Sequence, residues 1–193
     1  MKTSPRGIDD LILSEGLKTT AYRDSAGVWT IGVGHAATSG LPPIPKAGMT
    51  ISVAEAKEIL ARDLAKVEAR VNKEFPRGLS QWAFDGAVSF DFNTGAIDRA
   101  SWVVRYKLGD MAGAESRLKL WNKAGGRIVG GLVNRRKAEA DLIFRGIYRS
   151  KPAAPVPPPP DVPVPDPLQP GMPDAKPTFW QRLKGVGGSD TLE

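Results

Sequence analysis

Apolar positions along the chain fall into one short helical run, a strand-like hairpin, and then a succession of helical runs. Ile8, Leu11 and Ile12 recur at helical spacing behind Ser4-Pro5, a helix entry, and Ser14-Glu15-Gly16 closes the run. Residues 21–33 read as a β-hairpin: Ala21-Tyr22-Arg23, the turn-rich Asp24-Ser25-Ala26-Gly27, then the β-branched and aromatic Val28-Trp29-Thr30-Ile31-Gly32-Val33. Leu41-Pro42-Pro43-Ile44-Pro45 is loop. Ser52 with Glu55 three residues on is a capping box, and Ile59, Leu60, Leu64, Val67 and Val71 hold one apolar face of a long helix reaching about Glu74. Pro76 and Gly78 stop it. Shorter helices are predicted over 80–92, 101–108, 111–122 and 133–149, with the glycine-rich stretch 123–131 between the last two. This is an α+β arrangement, mostly helical, in which a long helix joins a small N-terminal hairpin lobe to a larger helical lobe and leaves a cleft between them.

The pattern ends near residue 150. Twelve of the 17 prolines lie between Pro152 and Pro177. Proline fixes φ and lacks an amide donor, so 151–178 reads as a semi-rigid linker in extended polyproline conformation. Residues 179–193 form a short tail, expected to be disordered, whose Phe179-Trp180-Gln181-Arg182-Leu183-Lys184 patch has the chemistry for envelope contact. The folded domain is therefore expected within 1–150.

Charge sharpens this division. The chain carries +6 overall; residues 1–150 hold 23 Lys+Arg against 16 Asp+Glu, whereas 151–193 hold 4 against 5. A basic folded part suits a polyanionic partner: nucleic acid, an anionic membrane face or an acidic wall polymer. Absence of cysteine excludes disulfide scaffolds and thiolate chemistry, and a single histidine excludes a multi-histidine metal site. Carboxylate chemistry is what composition leaves open. No apolar run approaches the roughly 18–20 residues that span a bilayer, and the polar first residues do not read as a secretory leader, so none is expected.

Two carboxylates stand at the edge of the expected cleft. Glu15 lies where the first helix ends; Asp24 opens the hairpin turn, with eight residues between them, and Thr30 follows after five more. Glycosidic cleavage needs such a pair, one acid to protonate the leaving oxygen and one partner across the sugar ring. A gap of about 6.5–9.5 Å admits a water and inverts the product, whereas about 5–5.5 Å lets the second carboxylate attack. Alone, these residues equally suit a helix-end ion pair, a turn former and a strand threonine.

Their surroundings are more specific. Glu15-Gly16-Leu17-Lys18, Tyr22-Arg23-Asp24 and Gly27-Val28-Trp29-Thr30-Ile31-Gly32-Val33-Gly34-His35 resemble the phage-type lysozymes, the endolysins of glycoside hydrolase family 24, in residue type and spacing. Asp63 on the capped helix, Phe92-Asn93-x-Gly95 and Gly131-Leu132-Val133-Asn134-Arg135-Arg136 extend the likeness over residues 7–149. The resemblance implies a lysozyme-like fold and a cofactor-free, metal-free muramidase that cleaves the β-1,4 bond between N-acetylmuramic acid and N-acetylglucosamine in peptidoglycan. Glu15 would be the general acid; Asp24 would hold or activate the water or stabilise the developing oxocarbenium charge, and Thr30 would help place the water, with inversion the expected outcome. Arg135 would lie beside Glu15 and orient it. His35 would pair with Asp63 and tie the hairpin lobe to the long helix. Asn93 and the backbone near Gly95 would offer amides to an N-acetyl group, or merely cap a helix. Trp29, Trp82, Trp102 and Trp121 read as core.

Such an enzyme would be made in the host cytoplasm without a signal peptide and reach the wall in the periplasm after membrane permeabilisation. Nothing in the sequence demands more than a monomer. The competing reading is a non-catalytic cationic wall- or membrane-binding protein. Nucleic-acid binding is disfavoured, because no recognition motif or basic stripe is visible.

Overall fold

A computed structural model describes residues 1–24 and 26–149; the linker at 151–178 and the tail at 179–193 lie outside the described residues. Helix α1 (Pro5–Glu15) begins where Ser4-Pro5 predicts. The Ser4 hydroxyl accepts the Gly7 N–H at 3.0 Å, and Pro5 occupies the first turn, where a missing N–H loses no helical bond. Gly16, at φ 78°, ends the helix directly behind Glu15.

Strands β1 (Lys18–Arg23), β2 (Trp29–Gly32) and β3 (His35–Ala36) form an antiparallel sheet in that order. Tyr22 faces Thr30 and Arg23 faces Trp29, so the expected hairpin forms with its turn at 24–28. The third strand was not foreseen, since two residues are too few to show alternation. It places His35 opposite Ile31 and Ala36 opposite Thr30.

The long helix expected over 52–74 is two segments, α2 (Val53–Asp63) and α3 (Ala65–Glu74). The capping box at its start is formed: Ser52 Oγ accepts the Glu55 N–H, and the Glu55 carboxylate accepts the Ser52 N–H. Leu64 between the segments keeps right-handed dihedrals but at ψ −16°, shallower than an α-helix, and its N–H is shared by the Leu60 and Arg62 carbonyls. Because Glu68 still donates to Leu64 O, the helix continues through one tightened turn. The apolar pattern does not sense this. Ile59, Leu60, Leu64, Val67 and Val71 are all buried on one face, as expected.

In the larger lobe, α4 (Gln81–Thr94) is the central helix, with every residue from Ala83 to Asp91 buried. Helix α7 (Gly130–Arg145) packs along it. Gly86 makes this approach possible: a Cβ there would come 2.5 Å from Ile143 Cγ1. Helices α5 (Ser101–Lys107) and α6 (Met111–Lys119) close the lobe. The glycine-rich stretch holds an unforeseen ribbon, β4 (Lys123–Ala124) paired with β5 (Arg127–Ile128). Helix α7 runs three residues earlier than expected and stops at a left-handed Gly146, so 147–149 are a strap rather than helix. The strap turns back onto α1. Arg149 donates from its backbone to Asp10 Oδ1 at 2.6 Å and from Nη2 to Asp10 Oδ2 at 3.0 Å and Ser14 Oγ at 2.7 Å.

One apolar cluster runs from Leu11 and Val33 through Leu60 and Leu64 to Phe84, Phe90, Trp102 and Ile143. Burying each such phenylalanine contributes about 1.5–3 kcal/mol. Phe90 meets Trp102 and Trp121 edge-on at 5.4 and 5.3 Å. The tryptophans divide: Trp102 is fully buried, Trp29 and Trp121 are half-buried, and Trp82, expected in the core, is 47% exposed over Gly146. Helical spacing places a residue on a face without saying what covers that face.

Candidate active site

Glu15 sits at the last position of α1, and Arg135 on α7 reaches it across 120 residues of chain. Arg135 Nη1 donates to Glu15 Oε1 at 2.5 Å. The rest of that guanidinium is held in turn, Nε by Glu139 Oε1 at 3.1 Å and Nη2 by the Ser89 carbonyl at 3.0 Å. Arg136 joins from the other side, donating from Nη2 to Glu139 Oε1 at 2.8 Å and to Asn93 Oδ1 at 3.0 Å. Its Nε lies 2.8 Å from Glu139 Oε2, a charge contact out of hydrogen-bond alignment. Ser89 Oγ adds a bond to Glu139 at 2.9 Å. The result is a chain of polar groups, buried at Arg136, Glu139 and Arg135, that runs from the exposed Asn93 to Glu15.

Burial pushes the Glu139 carboxyl above its ordinary range, although the charges of Arg136 and Arg135 and the Ser89 hydroxyl oppose it. Burial likewise pulls the Arg136 guanidinium down against the attraction of Glu139. With Arg136 at 1% and Glu139 at 3% exposure, neither charge has water to fall back on, so each depends on the other. Sequence reasoning assigned no role to Glu139, Arg136 or Ser89. The signal was present in the spacing, since Glu139 lies three and four residues after the two arginines, on their helix face.

Asp24 follows β1 and builds the hairpin turn. Its Oδ1 accepts the N–H groups of Ala26 and Val28, both at 2.9 Å. Turn former and candidate reactive group are thus the same residue. One oxygen of each carboxylate is fixed, Glu15 Oε1 by Arg135 and Asp24 Oδ1 by the turn, and the other oxygen of each accepts no bond among the described residues. Thr30, on the central strand and 3% exposed, donates its hydroxyl proton to the Val28 carbonyl at 3.2 Å. That same carbonyl accepts the Asp24 N–H at 3.0 Å, so a single peptide links the two residues. Having used its proton, the Thr30 oxygen has only acceptor capacity left.

His35 is the pivot of a different contact. Its Nδ1 lies 2.7 Å from Asp63 Oδ2, and its Nε2 faces the carbonyls of Leu41 and Pro43 at 3.2 and 3.0 Å. It therefore joins the sheet lobe to α2. Asn93 is exposed on α4 with its carbonyl held by Arg136, and its amide hydrogens have no acceptor among the described residues. Gly95 is different. It is the left-handed cap of α4, and its N–H donates to Asp91 O at 2.7 Å, while the N–H groups of Ala96 and Ile97 go to Thr94 Oγ1 and Asp91 Oδ1. The amides of Gly95, Ala96 and Ile97 are thus engaged within the turn, the arrangement the helix-capping alternative expects.

Residues 13–139 match the phage lysozyme family. A SAR-endolysin of Bacteriophage PS119 is 34% identical over 146 residues, covering 75% of this chain and 83% of that protein. Among solved structures, the endolysin from Escherichia coli O157:H7 phage FAHEc1 superposes with a TM-score of 0.67 at 34% identity, covering 78% of this chain and 98% of the other. A mutant of P22 lysozyme gives 0.66 at 33%, covering 74% and 98%. The chain belongs to the phage lysozyme family. It is accordingly a glycoside hydrolase with the lysozyme fold, and the non-catalytic reading of its basic surface is not favoured.

Proposed function

We propose that this chain hydrolyses the β-1,4 bond between N-acetylmuramic acid and N-acetylglucosamine in peptidoglycan, with inversion, and that Glu15, Asp24 and Thr30 carry the reaction. The observation that supports it most is the way both carboxylates are held. Each has one oxygen fixed by donors and one open, so each presents a single directed atom to a sugar bound between them. Glu15 donates a proton to the leaving glycosidic oxygen. Asp24 accepts a proton from the attacking water, which adds to the anomeric carbon from the opposite face. Thr30, restricted to accepting, takes the water's other hydrogen and so turns a lone pair toward that carbon. Arg135 is a positioning residue, since it acts through Glu15. Asn93 supplies amide hydrogens toward an N-acetyl carbonyl. The enzyme meets its substrate in the periplasm once the inner membrane has been breached, and it works as a monomer without metal or cofactor.

Inversion is tested by following digestion of a soluble glycan oligomer by proton NMR from the first seconds. The reading predicts that the newly formed reducing end appears as the α anomer and mutarotates afterward. First appearance of the β anomer would assign Asp24 to nucleophilic attack instead.

A further inference from the structure

Arg135 holds the carboxylate of Glu15, but a side chain is only as well placed as the backbone that carries it. Glu15 is the last residue of α1, and helix ends fray because their final carbonyls lack partners within the helix. The last turn of α1 has no basic residue of its own to meet the negative end of the helix dipole. Arg149 brings one there from 135 residues further along the chain.

The contact is dense. Arg149 Nη2 reaches the Asp10 carbonyl at 2.8 Å, Asp10 Oδ2 at 3.0 Å and Ser14 Oγ at 2.7 Å, and the Arg149 backbone N–H donates to Asp10 Oδ1 at 2.6 Å. Asp10 and Ser14 are four residues apart and share one face of α1, so the guanidinium lies along the final turns of the helix. Asp10 is 6% exposed, where water competes little for these bonds. Ser14 immediately precedes Glu15. Two other contacts hold the rest of the helix: Asp85 of α4 accepts the Ser4 N–H at 3.0 Å, and Lys57 of α2 pairs with Asp9 at 2.6 Å. They fix the entry and the middle of α1, and Arg149 fixes its end.

We propose that Arg149 is a positioning residue for the general acid: it pins the last turn of α1, so that Glu15 leaves the helix in the direction from which its carboxylate meets Arg135. This rests on the reading of Glu15 as the general acid. Arg135 grips the carboxylate and Arg149 the backbone beneath it, one from α7 and the other from the strap that follows α7. Arg149 makes no hydrogen bond to Glu15, so its effect on the reaction is one of placement. Placement is costly to lose, since a shift of about 1 Å in a reacting group can slow a reaction by about 10²-fold.

The test is steady-state hydrolysis of a soluble peptidoglycan oligomer by full-length variants, each well below its unfolding transition. Arg149→Ala should lower kcat about tenfold and leave KM within about twofold, because the residue places the acid and does not bind the sugar. Ser14→Ala keeps the Asp10 contacts and introduces a better helix former, so it tests the end of the helix without weakening the fold; it should lower kcat about threefold. Arg149→Lys, whose ammonium offers three N–H donors to the same three acceptors, should keep at least about half of the rate. The deciding comparison repeats Arg149→Ala and Ser14→Ala in a Glu15→Gln chain. Both should leave the residual rate unchanged there, because the proton transfer they serve is already gone. An equal fractional loss in both backgrounds would mean that the strap only holds the fold, and would overturn the proposal, as would an unchanged kcat in both single variants. If Arg149→Ala does not fold, Ser14→Ala carries the same comparison. Wild-type hydrolysis by Glu15→Gln alone is a separate outcome, which would overturn the catalytic reading and this inference with it.

Discussion

At the scale of single residues, the site is a matter of which oxygen atoms are already occupied. Arg135 takes one oxygen of Glu15, the turn takes one oxygen of Asp24, and Val28 takes the proton of Thr30. Their spacing singles these three residues out in the sequence, and their part in the reaction is what the resemblance implies. Their partners were legible only in part. Arg135 beside Glu15 followed from the resemblance, whereas the group that holds Arg135 in place did not. Glu139 looks like any surface acid in a charged helix, and only the packing of α7 against α4 makes it the buried centre of four side chains. Glu139→Ala leaves Arg135 and Arg136 buried without their counter-charge and should lower unfolding stability by about 3–5 kcal/mol. It should also reduce activity below the unfolding transition, because Arg135 is then free to leave Glu15. Urea denaturation together with wall hydrolysis checks both; a loss under about 1 kcal/mol would mean the network relaxes onto water.

At the scale of elements, the parts best read from sequence were those with strong local signals. The Ser4-Pro5 entry, the Ser52–Glu55 capping box and the Asp24 hairpin turn all formed where their chemistry required. What failed was local structure decided by distant partners. The tightened turn at Leu64, next to the His35 contact of Asp63, leaves the apolar stripe intact and so is invisible to periodicity. The strap at 147–149 looked like more of α7 because its residues suit a helix, yet Gly146 reverses the chain and the strap finds its bonds on α1 and α4. Tyr148 donates to Asp85 Oδ2 at 2.7 Å. Burial, that hydrogen bond and the neighbouring charge of Asp85 push its phenol up to about 12. Since the folded value lies above the ordinary one of about 10, the folded chain holds this proton more tightly. The stabilisation is complete below about pH 10 and is lost as pH rises through about 12. The stability difference between wild type and Tyr148→Phe should hold steady up to pH 10 and narrow toward pH 12 in urea titrations. A difference that stays constant across that window would mean the phenol proton is not what the strap uses.

For the whole molecule, the α+β architecture with a helical majority was readable from pattern, and the lysozyme resemblance supplied the arrangement of lobes. Net charge is a sum, and it hides a stretch at 116–138 that holds seven Lys+Arg and no Asp or Glu. The β4–β5 ribbon escaped notice for a related reason, because two-residue strands among glycines carry no periodicity. An ionic chain buried in the helical lobe fixes one carboxylate and a hairpin turn fixes the other, and in the proposed reaction the sugar bond breaks between them with Glu15 supplying the proton. The most direct measurement is turbidity loss of purified bacterial walls stripped of outer membrane, comparing wild type with Glu15→Gln in the full chain. The account predicts clearing by wild type and a rate lower by about 10²–10⁴-fold in the variant, the range for removing a positioned general acid. Equal clearing by both proteins would contradict it and leave charge and binding as the cause of lysis.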